Sequence, residues 1–355
     1  MNYIHGGNIY KYKKNIIDFS SNINPLGMPD NLIKDINDSI EDIINYPDPD
    51  YIKLRTKIAS NYNVDYKNIV VGNGGIQLIH NAIEFINGES ILIVSPSFVE
   101  YEKASKRFNK EVKYYLLLEE NDFKLKIDEF LKFDFNDIDN VIICNPNNPT
   151  GKYIEKKDII KIIEYLKLKN INLILDESFM DFLDDKLSLI DKVNKYDNLI
   201  IIRSLTKFFA VPGLRLGFLV SSNNELKNKI NKYRESWSVN IFANEFGINV
   251  FDNNEYILKT KEYIYSENKY LFEQLNEMNL FKVYSSVANY IFLKSKYEID
   301  WKKELLNYNI LIRKCDNYIG LNDRFYRVAV KDNDSNLKLI NSIKKIKEKL
   351  NGRFN

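Results

Sequence analysis

The chain has 355 residues, enough for a sizeable buried core and for two lobes. Hydrophobic residues at 45% and charged residues at 28% are ordinary for a soluble globular protein. The formal net charge of +2 gives no reason to expect nucleic acid or a membrane surface as partner. The opening MNYIHGGNIYKYKKN lacks the apolar core of a signal peptide, and no apolar run approaches the ~20 residues of a membrane helix. Cys144 and Cys315 make neither a disulfide framework nor a metal site, so a reducing cytoplasm is the default expectation. The two histidines, His5 and His80, cannot supply a histidine-rich metal centre. His80 falls in the helical pattern IQLIHNAIEFI and reads as a packed helix residue.

In chain order, residues 1 to about 15 read as a polar arm with a Gly6-Gly7 pair. Ile16 to Gly27 carries a short strand signal and then a turn at Asn24-Pro25. Asp30 is placed to N-cap a helix running to about Ile44. Tyr46-Pro47-Asp48-Pro49 breaks it, and a second helix covers Tyr51 to Tyr62.

An alternating series follows. Strand Ile69–Val71 leads through Gly72-Asn73-Gly74-Gly75 to a helix from about Ile76. Strand Ile91–Val94 ends at Ser95-Pro96. Strands Val112–Leu118 and Val141–Cys144 come next, the latter running into NPNNPTG. Helix Lys156–Lys169 leads to strand Ile171–Leu175, which ends at Asp176. Strands Leu199–Ile202 and Leu216–Val220 close the series. Strands alternating with helices predict an α/β domain with a mainly parallel sheet. Beyond Leu226 the texture changes to a long helical region, about Asn240 to Glu277 with a break at Asp252-Asn253-Asn254. Short strands at Lys282–Tyr284, Tyr290–Leu293, Ile310–Ile312 and Phe325–Val330 and a last helix from Ser335 to about Leu350 complete an α+β tail. The expected division is an arm (1–29), a large domain (30–235) and a small C-terminal domain (236–355).

Ligands of open α/β sheets bind beyond the carboxyl ends of the strands, and four unusual clusters fall there. Gly74 and Gly75, between a strand and a helix, can cradle a phosphate on backbone N–H groups. Asn145 to Gly151 is a stiff turn that can present the amide of Asn148. Asp176 is an acid directly after a buried strand, which is costly without a partner. Lys207 lies past the apolar run Leu199–Ile202, among bulky residues, with Arg215 beyond it. Desolvation there can lower an ammonium pKa and leave a nucleophile able to form a Schiff base. Together these match the needs of pyridoxal phosphate: Lys207 for the aldehyde, Asp176 for the ring nitrogen, and Gly74, Gly75, Ser204 and Arg215 for the phosphate, with Thr206 a further cofactor-binding candidate. Asn148 can donate to the ring's 3-oxygen, and Phe98 is the candidate to cover the ring.

NPNNPTG, the DExF at Asp176–Phe179 and SLTK…GLRLG at Ser204–Gly217 stand in the order found in the fold-type I pyridoxal-phosphate enzymes. The chain resembles that class, in the branch that includes histidinol-phosphate aminotransferase. The resemblance implies a large domain with a mostly parallel sheet, a small C-terminal domain and an active site shared across a homodimer. It also implies that Tyr46 reaches the cofactor phosphate of the neighbouring subunit.

A narrower resemblance, to the threonine-phosphate decarboxylase family of cobalamin biosynthesis, is carried by HGGN, DFSSNINPLGMP, RSLTKFFAVPGLRLG, WSVN, ILIRKCDNYIGL and RFYRVAV. It implies decarboxylation of O-phospho-L-threonine to (R)-1-aminopropan-2-yl phosphate and carbon dioxide. It places His5, Gly6, Asn22, Asn148, Arg313 and Arg327 against the phosphorylated amino acid, with His5 coming from the partner's arm. Arg327 matches the carboxylate arginine of the aminotransferases, which makes Arg313 and His5 the phosphate candidates. Phe179 departs from the tyrosine usual in the aminotransferases. The rivals are a histidinol-phosphate aminotransferase, a decarboxylase preferring O-phospho-L-serine and, from another class, a cofactor-binding regulator. No basic helix-turn-helix precedes the fold to favour the last.

Overall fold

The structure is a computed structural model describing residues 5–12 and 15–354. A seven-stranded sheet forms its centre: β1 (Ile69–Asn73), β2 (Ser90–Ser95), β3 (Glu111–Leu116), β4 (Asn140–Cys144), β5 (Asn172–Asp176), β6 (Leu199–Ser204) and β7 (Leu216–Ser221). The spatial order is β1-β7-β6-β5-β4-β2-β3. β7 runs antiparallel to both its neighbours, and all other pairs are parallel. The mainly parallel sheet expected from the alternation is therefore present.

Every residue of β2, β4 and β6 is buried. That is why these strands read as continuous apolar runs rather than as alternating ones. The two faces still separate by period two. Val141, Ile143, Leu173, Leu175, Leu199 and Ile201 join one core layer, and Ile142, Cys144, Ile174, Ile200 and Ile202 the other.

A second sheet is antiparallel, in the order Arg313–Lys314, Phe325–Ala329, Tyr290–Ser295, Phe281–Tyr284. Helices Asn254–Glu277 and Asn333–Phe354 accompany it. The N-terminal segment is stitched to this C-terminal sheet. Ile17–Asp18 pairs in parallel with Ile310–Leu311, and Phe19 O accepts from Ala329 N–H at 2.9 Å. The same segment then crosses to the large sheet, where Asn24 N–H donates to Lys207 O at 3.0 Å.

Three local expectations are corrected. The helix from Asp30 ends at Asp38, and Ile40–Ile44 is a separate 3-10 turn. Ser39 Oγ donates to Ile36 O at 2.8 Å, a back-bond that competes with the helix, and Pro29 rather than Asp30 is the cap. The glycines at 72–75 form no loop: β1 runs to Asn73 and the helix Gly74–Phe85 starts at the next residue. Helix Asn224–Tyr233 stands where no element was expected. Helix Ile241–Asn249 packs on helices Asp30–Asp38 and Ile52–Tyr62. No helix among the described residues is long and apolar enough to cross a membrane.

Candidate active site

The carboxyl ends of β4, β5 and β6 open into a cavity of about 240 Å³. Asp176, the last residue of β5, is buried there. The Tyr101 hydroxyl donates to its Oδ2 and Ser178 N–H to its Oδ1 at 2.8 Å. Two donors fix the carboxylate and leave acceptor capacity for a third, cationic donor. Burial and then the Asp176 charge push the Tyr101 hydroxyl well above its ordinary pKa, so it stays a donor. Cys144 ends β4, and burial pushes its thiol up to about 12. It is a neutral wall of the cavity rather than a nucleophile.

Lys207 follows β6 on the other side, partly buried, with its ammonium 4.7 Å from the centre of the Phe179 ring. Burial holds its pKa below the ordinary lysine value, while Asp176 opposes that shift. Phe179 packs edge-on against Tyr290, at 5.0 Å between ring centroids. The wall beside Lys207 is thus a hydrocarbon ring without a hydroxyl.

The third corner holds donors. The Ser204 and Thr206 hydroxyls lie 3.0 Å apart. Gly75 brings the N-terminus of helix Gly74–Phe85 to the same cavity, and Arg215 lines it too. Arg215 Nη1 is steadied by Pro212 O at 3.1 Å. A helix N-terminus, two hydroxyls and a guanidinium suit a phosphate. Gly74 plays a different part from the one expected. It is not on the cavity wall but behind Arg215, at φ +77°, where a Cβ would lie 2.3 Å from Arg215 Nη2. Its lack of a side chain makes room for the guanidinium.

A second cavity of about 210 Å³ adjoins the first and shares Phe98, Asn148, Phe179 and Lys207 with it. His5, Gly6, Asn22, Asn148, Arg313 and Arg327 all line it, so the structure brings together all six residues expected around the substrate. Arg313 and Arg327 are direct register partners on neighbouring antiparallel strands, and they are only 8% and 6% exposed. Like charges directly opposite each other repel. No carboxylate pairs with Arg327 among the described residues; its Nη2 donates to Ser20 O at 2.8 Å and its Nη1 to Asn148 Oδ1. An anionic ligand between the two arginines would relieve that repulsion. Arg327 also settles the Asn148 amide: Oδ1 faces the guanidinium, with Tyr318 Oη a further 3.4 Å donor, leaving Nδ2 as the free donor end. Asn22 Oδ1 is buried without a partner among the described residues.

His5 lines the cavity of its own chain. Gly6 allows this, because a Cβ there would lie 2.1 Å from Ser20 O, and Gly7 N–H donates to Ser20 Oγ at 2.8 Å. The folded-back arm puts the His5 ring 5.6 Å from that of Phe98. Tyr46 lines neither cavity of its own chain. It is 79% exposed and stacks on Trp237, with 4.5 Å between ring centroids.

Sequence reasoning missed Tyr101, Ser20, Tyr318 and Glu100. Tyr101 sits in an ordinary amphipathic helix, where nothing marks one tyrosine as facing a strand end. The DFSSN run held a signal for Ser20 that went unused, an acid two and three residues before a pair of serines, which forms a compact knot: Asp18 Oδ1 accepts from Ser20 N–H and Oγ, and Oδ2 from Ser21 Oγ.

A clamp holds the two strand ends in place. Arg203, just before Ser204, is fully buried and pairs with Glu177 at 3.0 Å and with Asp181. Glu177 follows Asp176 directly, so the pair ties the end of β5 to that of β6.

The sequence profile described as aminotransferase class I and II matches residues 14–343. The threonine-phosphate decarboxylase of Salmonella typhimurium is 35% identical over 353 residues, covering 97% of this chain and 97% of that protein. The crystal structure of L-threonine-O-3-phosphate decarboxylase from Porphyromonas gingivalis superposes with a TM-score of 0.84 at 25% identity, covering 93% of this chain and 99% of that one. That of histidinol-phosphate aminotransferase from Clostridium acetobutylicum gives 0.88 at 34%, with the same coverage. With one profile spanning nearly its whole length, the chain belongs to the aminotransferase class I and II family.

Proposed function

We propose that the chain is a pyridoxal-phosphate-dependent decarboxylase that converts O-phospho-L-threonine to (R)-1-aminopropan-2-yl phosphate and carbon dioxide, in cobalamin biosynthesis. The observation that carries the substrate is the facing pair Arg313 and Arg327, nearly buried in the cavity that also holds Lys207. Two guanidiniums suit a substrate with two anionic groups, a carboxylate and a phosphate. The decarboxylase relatives and the Phe179 wall favour this reaction over transamination.

The residues present fit the cofactor. The donor corner of Gly75, Ser204, Thr206 and Arg215 would hold its phosphate, and Gly74 keeps that corner open. Asp176 would hold its ring nitrogen, Asn148 Nδ2 its 3-oxygen, and Phe98 would cover the ring. When bound, pyridoxal phosphate supplies the electron sink for a bond broken at the α-carbon. The chain decides which bond breaks. Arg327, tied to Asn148 and Ser20, fixes one anionic group of the substrate, and Arg313 with His5 the other. Held at both ends, the substrate would present its carboxylate rather than its α-hydrogen for cleavage, a positioning effect. Asp176 would keep the ring nitrogen protonated. Lys207, which lines both cavities, would be the proton donor to the α-carbon.

The same reading includes a cytoplasmic homodimer. Ile40, Ile43, Ile44 and Tyr46 expose an apolar run, 56% to 86% accessible, which a second copy would cover. Tyr46 would then reach the partner's cofactor phosphate.

The test is a substrate panel on the cofactor-loaded protein: O-phospho-L-threonine, O-phospho-L-serine, L-threonine and histidinol phosphate. The highest kcat/KM is expected for carbon dioxide release from O-phospho-L-threonine. Faster conversion of histidinol phosphate with 2-oxoglutarate would overturn the reading.

A further inference from the structure

The chain has two histidines, and both come to one carboxylate. Glu100 opens helix Glu100–Arg107 and is largely buried. Its Oε1 lies 2.5 Å from His5 Nε2 and 2.8 Å from Lys103 Nζ, and its Oε2 lies 3.7 Å from His80 Nε2. Hydrogen bonding from His5, and then from His80, holds the Glu100 carboxyl well below the usual carboxylate range. His80 is anchored in helix Gly74–Phe85 and packs edge-on against Phe108. Lys103 belongs to the helix of Glu100 itself. The carboxylate is thus fixed by two packed helices, and His5 is the member of the cluster that reaches the substrate cavity.

The surroundings of His5 are otherwise cationic. Arg313 lines the substrate cavity with it, and Lys11, Lys302 and Arg313 line a small adjoining cavity that His5 also borders. Among the described residues Glu100 is the one carboxylate paired with His5. A carboxylate on one ring nitrogen orients the imidazole and leaves the other nitrogen facing away from it.

We propose that Glu100 is a positioning residue: it holds His5 by Nε2 over the substrate cavity so that Nδ1 donates to the phosphate of a phosphomonoester substrate. The inference rests on the decarboxylase reading for its substrate, and its test separates the two.

Glu100→Gln keeps the shape and removes the charge. In the cofactor-loaded enzyme, KM for O-phospho-L-threonine should rise about tenfold with kcat changed by less than about threefold. KM for L-threonine should not move. His5→Ala should show the same split, and the double variant should be no worse than His5→Ala alone. A second readout needs no turnover. With histidines ¹⁵N-labelled, the two imidazoles give two sets of ring signals, and inorganic phosphate should shift those of His5 in the wild type but much less in Glu100→Gln. Equal KM increases for the phosphorylated and unphosphorylated substrates would overturn the proposal, as would an undiminished phosphate shift in the variant. If the wild type releases no carbon dioxide from O-phospho-L-threonine, the functional reading falls, and the phosphate titration still decides the role of Glu100.

Discussion

Gly74→Ala separates the phosphate corner from the stability of the fold. The residue sits at φ +77°, and an added Cβ would lie 2.3 Å from Arg215 Nη2 and 2.9 Å from its Cζ. Two costs follow, and they fall on different states. Holding an L-residue in the left-handed region costs roughly 1–2 kcal/mol, with or without cofactor. Displacing Arg215 gives up its exposed bond to Pro212 O in either state and weighs mainly on the loaded protein, because a charge-assisted hydrogen bond to the phosphate is worth about 1.5–3 kcal/mol. The variant should therefore lose about 1–2 kcal/mol of cofactor-free stability in a denaturant titration. Its Kd for pyridoxal phosphate, from a spectral titration of the cofactor-free protein, should weaken by about 10- to 150-fold. Arg215→Ala should weaken binding comparably, and the two changes should not add, since both remove one contact. A Kd within about twofold of wild type, alongside the expected stability loss, would refute the assignment of Arg215 to the phosphate.

Three further changes probe other parts of the site. Lys207→Ala should abolish both the absorbance of covalently bound cofactor and turnover, and a variant that keeps both would remove Lys207 from its role. Arg313→Ala should weaken binding of O-phospho-L-threonine more than that of L-threonine, measured as the two KM values. Equal losses would take it out of phosphate recognition. Arg203→Met strands Glu177 and Asp181 without their partner and should cost about 3–5 kcal/mol by chemical denaturation. A loss below about 1 kcal/mol would show that the clamp between the ends of β5 and β6 contributes little.

What the sequence made legible follows from how local each signal is. Asp176, Ser204 and Lys207 stand at or just past the ends of buried apolar strands, and a parallel sheet turns that one-dimensional punctuation into one edge. The Gly74-Gly75 pair lies by the donor corner, but only the geometry divides the work, Gly75 at the cavity and Gly74 behind Arg215. The segment Asn224–Tyr233 reads as polar because its buried side consists of Leu226, Lys227 and Ile230 alone, too narrow a stripe to announce a helix. The Glu100 cluster was illegible for another reason. His5, His80 and Glu100 come from an arm and two helices, and nothing local in any of them records the meeting. The seat of His5 in its own chain likewise depends on how the Gly6-Gly7 turn folds against Ser20.

The central claim is that this site breaks the bond to the carboxylate. The most direct measurement follows O-phospho-L-threonine labelled with ¹³C at its carboxyl carbon, incubated with the cofactor-loaded protein with and without 2-oxoglutarate. The account predicts labelled carbon dioxide and (R)-1-aminopropan-2-yl phosphate in equal amounts, at a rate that 2-oxoglutarate does not change. Label retained in a 2-oxo acid, with glutamate formed only when 2-oxoglutarate is present, would contradict it.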